Sequence, residues 1–300
     1  MELLGKTSID FIGKRNISFV ISAIISIIGL IGVVQVGRGA ANMGIDFSGG
    51  TAMQLKFSKP VVIADARAAL HKNGVAKADL QEIKDGNKLL VKMAGAAVGK
   101  PSEMVQAAFK KEFADNAFTV ESSTEIGPSI GDKLRKDTLI AAVLSLLGII
   151  LYIAWRFDFQ FGVGATCATL HDCLAMFAVF YLLNKEINLL FITAVLTIAG
   201  YSLTDTVVVF DRIRENLHKN LKGAMNTIFN DSINEVLSRT IVTSLTVFLA
   251  AASLFFFGGE VIHDFSLALL IGVLVGTYSS VFVASPIVVI LENRALAKKA

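Results

Sequence analysis

The sequence predicts a polytopic α-helical membrane protein with six transmembrane helices and one external α+β domain of the ferredoxin-like type. Three observations carry this reading. The 300 residues are 54% hydrophobic and 18% charged, with a mean hydropathy of +0.63, too apolar for a water-soluble globule. Apolar stretches at 17–36, 139–155, 161–183, 189–210, 241–257 and 265–291 each supply close to the roughly 20 residues that cross a bilayer. Between the first two lies 37–136, where apolar runs give way to short strand and helix patterns.

The first stretch follows Lys6, Lys14 and Arg15. Its apolar core exceeds the roughly 7–15 residues of a cleaved signal peptide, and Ala40-Ala41 is a poor cleavage site, so it is expected to stay as a span. Short flanks set the orientation. The tail before it is basic, as are the link with Arg212, Arg214, Lys219 and Lys222 and the end with Arg294, Lys298 and Lys299. Arg156, in the turn between the second and third spans, falls on the same side by alternation. Residues 184–188 hold only Lys185, and 258–264 hold no Lys or Arg. The positive-inside rule then places both termini in the cytoplasm and 37–136 outside. The expected divisions are 1–36 as tail and first helix, 37–136 as external domain, 137–291 as a five-helix bundle and 292–300 as tail.

Within the external segment, 51–57 alternates Met53, Leu55 and Phe57 with Ala52, Gln54 and Lys56, the period of a half-buried strand. Residues 61–72 read as an alanine-rich helix opened near Pro60 and closed by Asn73-Gly74. Residues 80–84 and 88–93 read as strands joined around Asp85-Gly86-Asn87. A second helix starts at Pro101 and runs to about Phe113, and 118–122 gives a last strand. The order strand–helix–strand–strand–helix–strand is ferredoxin-like. His71 reads as a surface residue on its helix. Ahead of the domain, GIDFSGGT holds Gly44, Asp46, Phe47, Gly49, Gly50 and Thr51. Paired glycines can cradle phosphate, but this run leads into a strand and has no following Lys-Ser/Thr, so it reads as a tight turn launching the first strand.

The spans carry the chemistry. Asp205 lies inside the fourth, between Thr204 and Thr206, and a carboxylate at membrane depth is unfavourable by about 2.5–3.5 kcal/mol on insertion scales. Asp211-Arg212 and the charges after them mark the exit into water. Thr193, Thr197, Tyr201 and Thr204/Asp205 share one helix face by spacing, and Arg239, Thr243 and Thr246 do so in the fifth span. Gly272, Gly276 and Ser280 form a small-residue ridge in the sixth. The third holds Gly162, Gly164, Ala165 and Ala168, then His171-Asp172. Such faces predict helices packed on one another.

Each charged group has a structural alternative. Asp205 serves either as a proton carrier or as a static hydrogen-bond anchor. Arg239 is its cationic partner or snorkels at the interface. His171 and Asp172 lie on a proton path or tie helices together, and Tyr278, Ser279 and Ser280 read as packing. Cys167 and Cys173 sit within the third span, so neither a disulfide framework nor a metal site is expected, and no cofactor is expected. The net charge of +3 is spread over membrane edges and indicates no nucleic-acid partner. One proton falling through about 100 mV gives about 2.3 kcal/mol, and one pH unit adds about 1.4. Together they fall short of the about 5.5 kcal/mol that inverts a two-state equilibrium from 1:99 to 99:1. A second proton or a partner subunit makes up the difference.

Several ordered motifs resemble the SecD/SecF family of bacterial protein-export subunits, itself related to the RND transporter superfamily. They are GIDFSGGT, Leu170-His171-Asp172, the run from Gly200 to Asn216, Arg239-Thr240, Phe257-Gly258-Gly259-Glu260 and Gly276-Thr277-Tyr278-Ser279-Ser280. The resemblance covers essentially the whole chain and departs at Thr204, where Asn is expected. It implies half of an RND-type bundle, pairing with SecD, work beside the SecYEG channel with YajC as accessory, and proton flow that moves the external domain to hold an emerging preprotein. It implies a bacterial inner-membrane location with the large loop periplasmic. By position it makes Asp205 the essential acid and Arg239 its partner. Three functions are therefore compared: a proton-coupled auxiliary motor for protein export, half of a proton-driven small-molecule exporter, and a non-transporting scaffold. No nucleophile, phosphate loop or metal set points to an enzyme.

Overall fold

The computed structural model describes residues 7–75, 78–83, 87–94, 101–219 and 223–297. Lys6, the Asp85-Gly86 part of the expected hairpin turn, Lys222, Lys298 and Lys299 lie outside them, as does the Glu260 side chain. The chain divides into two compact units, one formed by Met1–Asn42, Ala141–Glu186 and Leu190–Ala300, the other by Met43–Ile140 with Ile187–Leu189.

The second unit opens with a single helical turn, α2 (Ile45–Ser48), which feeds strand β1 (Gly50–Phe57). The expected launching turn is present, but one helical turn is built into it. Gly49 takes φ +66°, a left-handed value suited to glycine, and a side chain there would meet Pro128 Cα at 3.0 Å. Helix α3 (Ile63–Lys72) closes at Gly74, whose φ is +83°. Strands β2 (Asp79–Ile83) and β3 (Lys88–Ala94), helix α4 (Pro101–Glu112) and strand β4 (Phe118–Ile126) follow. The sheet order is β2-β3-β1-β4 with every pair antiparallel, the split βαβ arrangement of a ferredoxin-like unit. Met53, Leu55 and Phe57 are buried with Leu70, Leu89, Val91 and Phe109, as the alternation requires. Strand β4 runs further than 118–122 and is exposed along most of its length. Its register slips opposite Gln54/Leu55, so the sequence alternation that marks a half-buried strand is missing there.

The first unit is helical: α1 (Arg15–Gly37), α5 (Pro128–Arg156), α6 (Phe159–Leu182), α7 (Leu189–Lys219), α8 (Met225–Phe257), α9 (Glu260–Ser279), a π-helical segment (Ser280–Ala284) and α10 (Ser285–Ala297). Only the part of α5 from Ala141 onward belongs to this unit. With Val261–Ala297 taken as one span, six helices among the described residues are long and apolar enough to cross a membrane. Helices α5, α7 and α8 begin or end well beyond the apolar stretches. Hydropathy marks only the part meant for lipid, whereas pairs such as Glu215–Lys219 carry α7 onward. The π segment was not expected. Pro286 has no N–H for the Phe282 carbonyl, which instead accepts the Ser18 hydroxyl of α1 at 3.1 Å, while Ser285 Oγ donates to Ser280 O at 2.9 Å.

Small residues bring the helices together. Helix α1 buries Ser18, Ser22, Gly29 and Gly32 and turns its isoleucines outward. A Cβ at Gly29 would fall 2.0 Å from the Leu174 carbonyl oxygen of α6. Gly164 faces Val288 of α10, Gly272 faces Ile198 of α7, and Gly276 faces Ser202. Phe157, Phe161 and Phe210 fill the remaining space with edge-on rings at 5.1–5.8 Å, Phe157 and Phe161 stacking at 6.5 Å.

Candidate functional site

Two carboxylates, Asp172 and Asp205, lie on facing helices of the helical unit and are held by neighbouring serines. Asp172, in the middle of α6, is fully buried. Its Oδ2 accepts Ser202 Oγ of α7 at 2.5 Å and Ser279 Oγ of α9 at 2.8 Å, and its Oδ1 lies 3.1 Å from His171 Nδ1. The close approach at Gly276 makes this possible, since α9 can rest on Ser202 while Ser279 reaches the same oxygen. Asp205, one turn along α7 from Ser202, is half-buried and accepts Ser280 Oγ at 2.7 Å. Hydroxyl bonds to a carboxylate each contribute roughly 1.5–3 kcal/mol. Consecutive serines at the start of the π segment thus hold two different acids.

The two acids differ in surroundings. Thr240 Oγ1 of α8 faces Asp205, but it is buried and closes no hydrogen bond among the described residues. Arg239 acts on Asp205 electrostatically from an exposed position, and no ion pair joins them. Thr204 is also exposed and returns its hydroxyl to Tyr201 O at 2.6 Å, so it stays off the Asp205 carboxylate. Beside the pair, Ser244 Oγ of α8 meets Tyr201 Oη at 3.2 Å and Thr277 Oγ1 at 2.6 Å.

The polar faces need one correction. On α8 the inward face is Thr240 and Ser244, whereas Arg239, Thr243 and Thr246 are exposed, the threonines bonding back to their own helix. Thr193, Thr197 and Thr204 are likewise exposed on α7. Spacing groups these residues correctly but does not say which face a neighbour covers. Ser279 and Ser280, read from sequence as packing, hold the acids, and the Tyr278 hydroxyl meets Ser22 Oγ and Ser18 O, both at 3.1 Å. Ser202 went unnoticed, though it lies three residues before Asp205 on the same face.

At the charged end of α7, Asp211 accepts Arg156 with both oxygens at 3.1 Å, and Arg212 bonds Glu235 at 2.5 Å and Glu215 at 2.6 Å. The glycine motif lies in the other unit. There Asp46 Oδ2 accepts the Leu189 N–H at 3.1 Å, Phe47 and Thr51 are buried, and Gly44 donates to Ile187 O at 3.0 Å. Gly50, at φ 142°, starts β1. His71 is exposed on α3.

Residues 105–294 match the family described as protein export membrane protein SecD/SecF, C-terminal, and residues 41–61 match the SecD/SecF GG motif. The chain belongs to the SecD/SecF family. It is 52% identical over 301 residues to the protein translocase subunit SecF of Thermodesulfovibrio yellowstonii, covering all of both chains. It is 38% identical over 300 residues to that of Calditerrivibrio nitroreducens, covering 98% of this chain and 97% of the relative. The crystal structure of SecDF, a translocon-associated membrane protein from Thermus thermophilus, superposes with a TM-score of 0.82 at 35% identity. That match takes in 96% of this chain but only 39% of the SecDF chain. SecDF in a super-membrane-facing form gives 0.72 at 34%, with 99% and 40% covered. This is a multi-pass SecD/SecF membrane protein of the SecF type, and its relatives are named for a transport role.

Proposed function

We propose that this chain is an auxiliary subunit of the Sec translocase that couples the proton motive force to late-stage preprotein export, and that Asp205 carries the proton. The carrying observation is an acid at membrane depth that accepts the Ser280 hydroxyl at 2.7 Å and has no ion pair among the described residues, set between α7 and the π segment of the last span. An acid so weakly held changes charge with the packing of a few helices, and those helices change packing with its charge. Arg239 and Thr204 face outward beside it. In lipid they are unfavourable, which supports a second membrane subunit, SecD, over the α7–α8 face, with SecYEG, YajC and the preprotein as further partners.

In this reading the tail and first helix (1–36), the external ferredoxin-like domain (37–136), the five-helix bundle (137–291) and the tail (292–300) lie in a bacterial inner membrane. Both termini are cytoplasmic and the large loop is periplasmic. Asp211 and Arg212 anchor the cytoplasmic end of α7, while the glycine motif from Gly44 to Thr51 launches the external domain. Replacing Asp205 with Asn leaves folding and partner assembly intact and makes secretory precursors accumulate in cells. Normal secretion with that change would support a scaffold instead.

A further inference from the structure

Asp172 ties α6 to α7 and α9 through Ser202 and Ser279, a task that an uncharged residue performs at less expense. Asp172 has no Lys or Arg ion pair among the described residues. With Asp172 ionised its carboxylate only accepts, and the proton between it and His171 then sits on Nδ1. The tautomer that makes this bond leaves His171 Nε2 with a bare lone pair, and that atom is buried with no hydrogen-bond partner among the described residues. As drawn by these contacts the pair has a net charge of minus one in a medium of low dielectric. A proton placed on Nε2 neutralises it and fills the vacant acceptor in one step.

We propose that His171 and Asp172 form a second proton-holding site in the membrane, with His171 Nε2 as the atom that takes the proton. Ser279 and Ser280 connect this site to Asp205. Each hydroxyl donates to one acid, and the two residues are adjacent at the start of the π segment. A change of charge at one acid therefore bears on the backbone that positions the donor of the other. Two protons per cycle supply what a single proton lacks for a full conformational reversal. From α9, Tyr278 stands with its ring 6.0 Å from the imidazole and its hydroxyl turned to Ser18 and Ser22 of α1. From α7 comes Ser202, α6 itself adds Cys173, on which the Asp172 charge acts, and Asp205 is linked only through the serine pair, held by Ser280 next to Ser279.

The proposal extends the proton-coupling reading, but its test stands apart from export. The full chain, carrying ¹⁵N-labelled histidine in lipid bilayers, is followed by NMR across pH; its four histidines are separated by the signal that His171→Gln removes. The expected result is that His171 passes from the Nδ1–H tautomer to imidazolium within the range from about pH 4 to 10. Asp172→Asn lowers the midpoint by about one pH unit or more, because the anion that favours imidazolium is gone. Ser202→Ala raises it, because the carboxylate loses a donor and the pair holds its proton more tightly. A merely structural pair does not give opposite shifts. His171 fixed as one neutral tautomer across that range, or a midpoint that neither variant moves, would overturn the proposal. Defective export in Asp205→Asn together with a wild-type His171 that keeps one neutral tautomer would overturn this proposal and leave the Asp205 reading standing; normal export in Asp205→Asn with a titrating His171 would do the reverse.

Discussion

At the scale of single residues, the polar atoms of the bundle are almost all satisfied locally, and the exceptions are informative. Among the described residues, Thr240 and His171 each bury an atom that closes no hydrogen bond, one beside Asp205 and the other beside Asp172. Thr240→Val keeps the shape and removes a buried hydroxyl that closes no hydrogen bond among the described residues. It should leave thermal stability unchanged or raise it by up to about 1 kcal/mol, as read from the unfolding midpoint in detergent. A loss larger than that would mean that the hydroxyl has a partner. Asp10 gives a pH-dependent case outside the spans. Its carboxylate accepts the Gly13 N–H at 2.8 Å and Asn230 Nδ2 at 2.7 Å, and these bonds hold its pKa below the ordinary value. Asn230 Oδ1 in turn accepts the N–H groups of Phe11 and Ile12, while Asn234 pairs with Ile9. Because the folded pKa is depressed, this stabilisation is complete above the unfolded value near 3.9. It fades as pH falls through the folded value. Amide exchange at Gly13 should therefore speed up in acid in the wild-type chain, and Asp10→Asn should remove that pH dependence. Asp205 was legible from sequence because a charge in an apolar run is conspicuous. Its partners were not, since serine is common in spans and no pattern marks which hydroxyl faces which acid.

At the scale of elements, helix contacts are set by where backbone can approach backbone. Gly29 sits on the Leu174 carbonyl, while Gly148 of α5 has nothing within 4 Å of its would-be side chain. Gly29→Ala should destabilise by about 1–3 kcal/mol through overpacking. Gly148→Ala should be neutral or stabilise by up to about 1 kcal/mol from helix propensity; the two unfolding midpoints check both. The π segment depends on Pro286. In Pro286→Ala, a restored N–H competes with Ser18 for the Phe282 carbonyl, and the segment can close to an α-helix. The expected outcome is a fold as stable as before, with weakened export, because Ser279 and Ser280 turn away from their acids. Unchanged export would detach the π segment from function. The glycine ridge and the proline were both in plain view, and so was the ferredoxin-like order with its alternating β1. What periodicity could not supply was the π turn, which comes from one missing donor, or the length of β4, whose exposed faces lack alternation.

At the scale of the whole molecule, the described residues hold six helices fit to span a membrane, a buried Asp172 beside a half-buried Asp205, and an outward polar face on α7 and α8. The chain matches about two-fifths of the SecDF chain. The hydropathy pattern contained the span count, because bilayer thickness fixes helix length. It did not contain the outward position of Arg239, because amphipathic spacing is the same whether the polar stripe meets a helix of its own chain or one of another. The central claim is that a proton on Asp205 drives work in export. The most direct measurement is export of a secretory protein into membrane vesicles carrying the chain with its partner subunit, after ATP-driven insertion, with and without a proton gradient. The account predicts that the gradient speeds completion for the wild-type chain and has no effect for Asp205→Asn at equal subunit levels. An equal response to the gradient in both would contradict it.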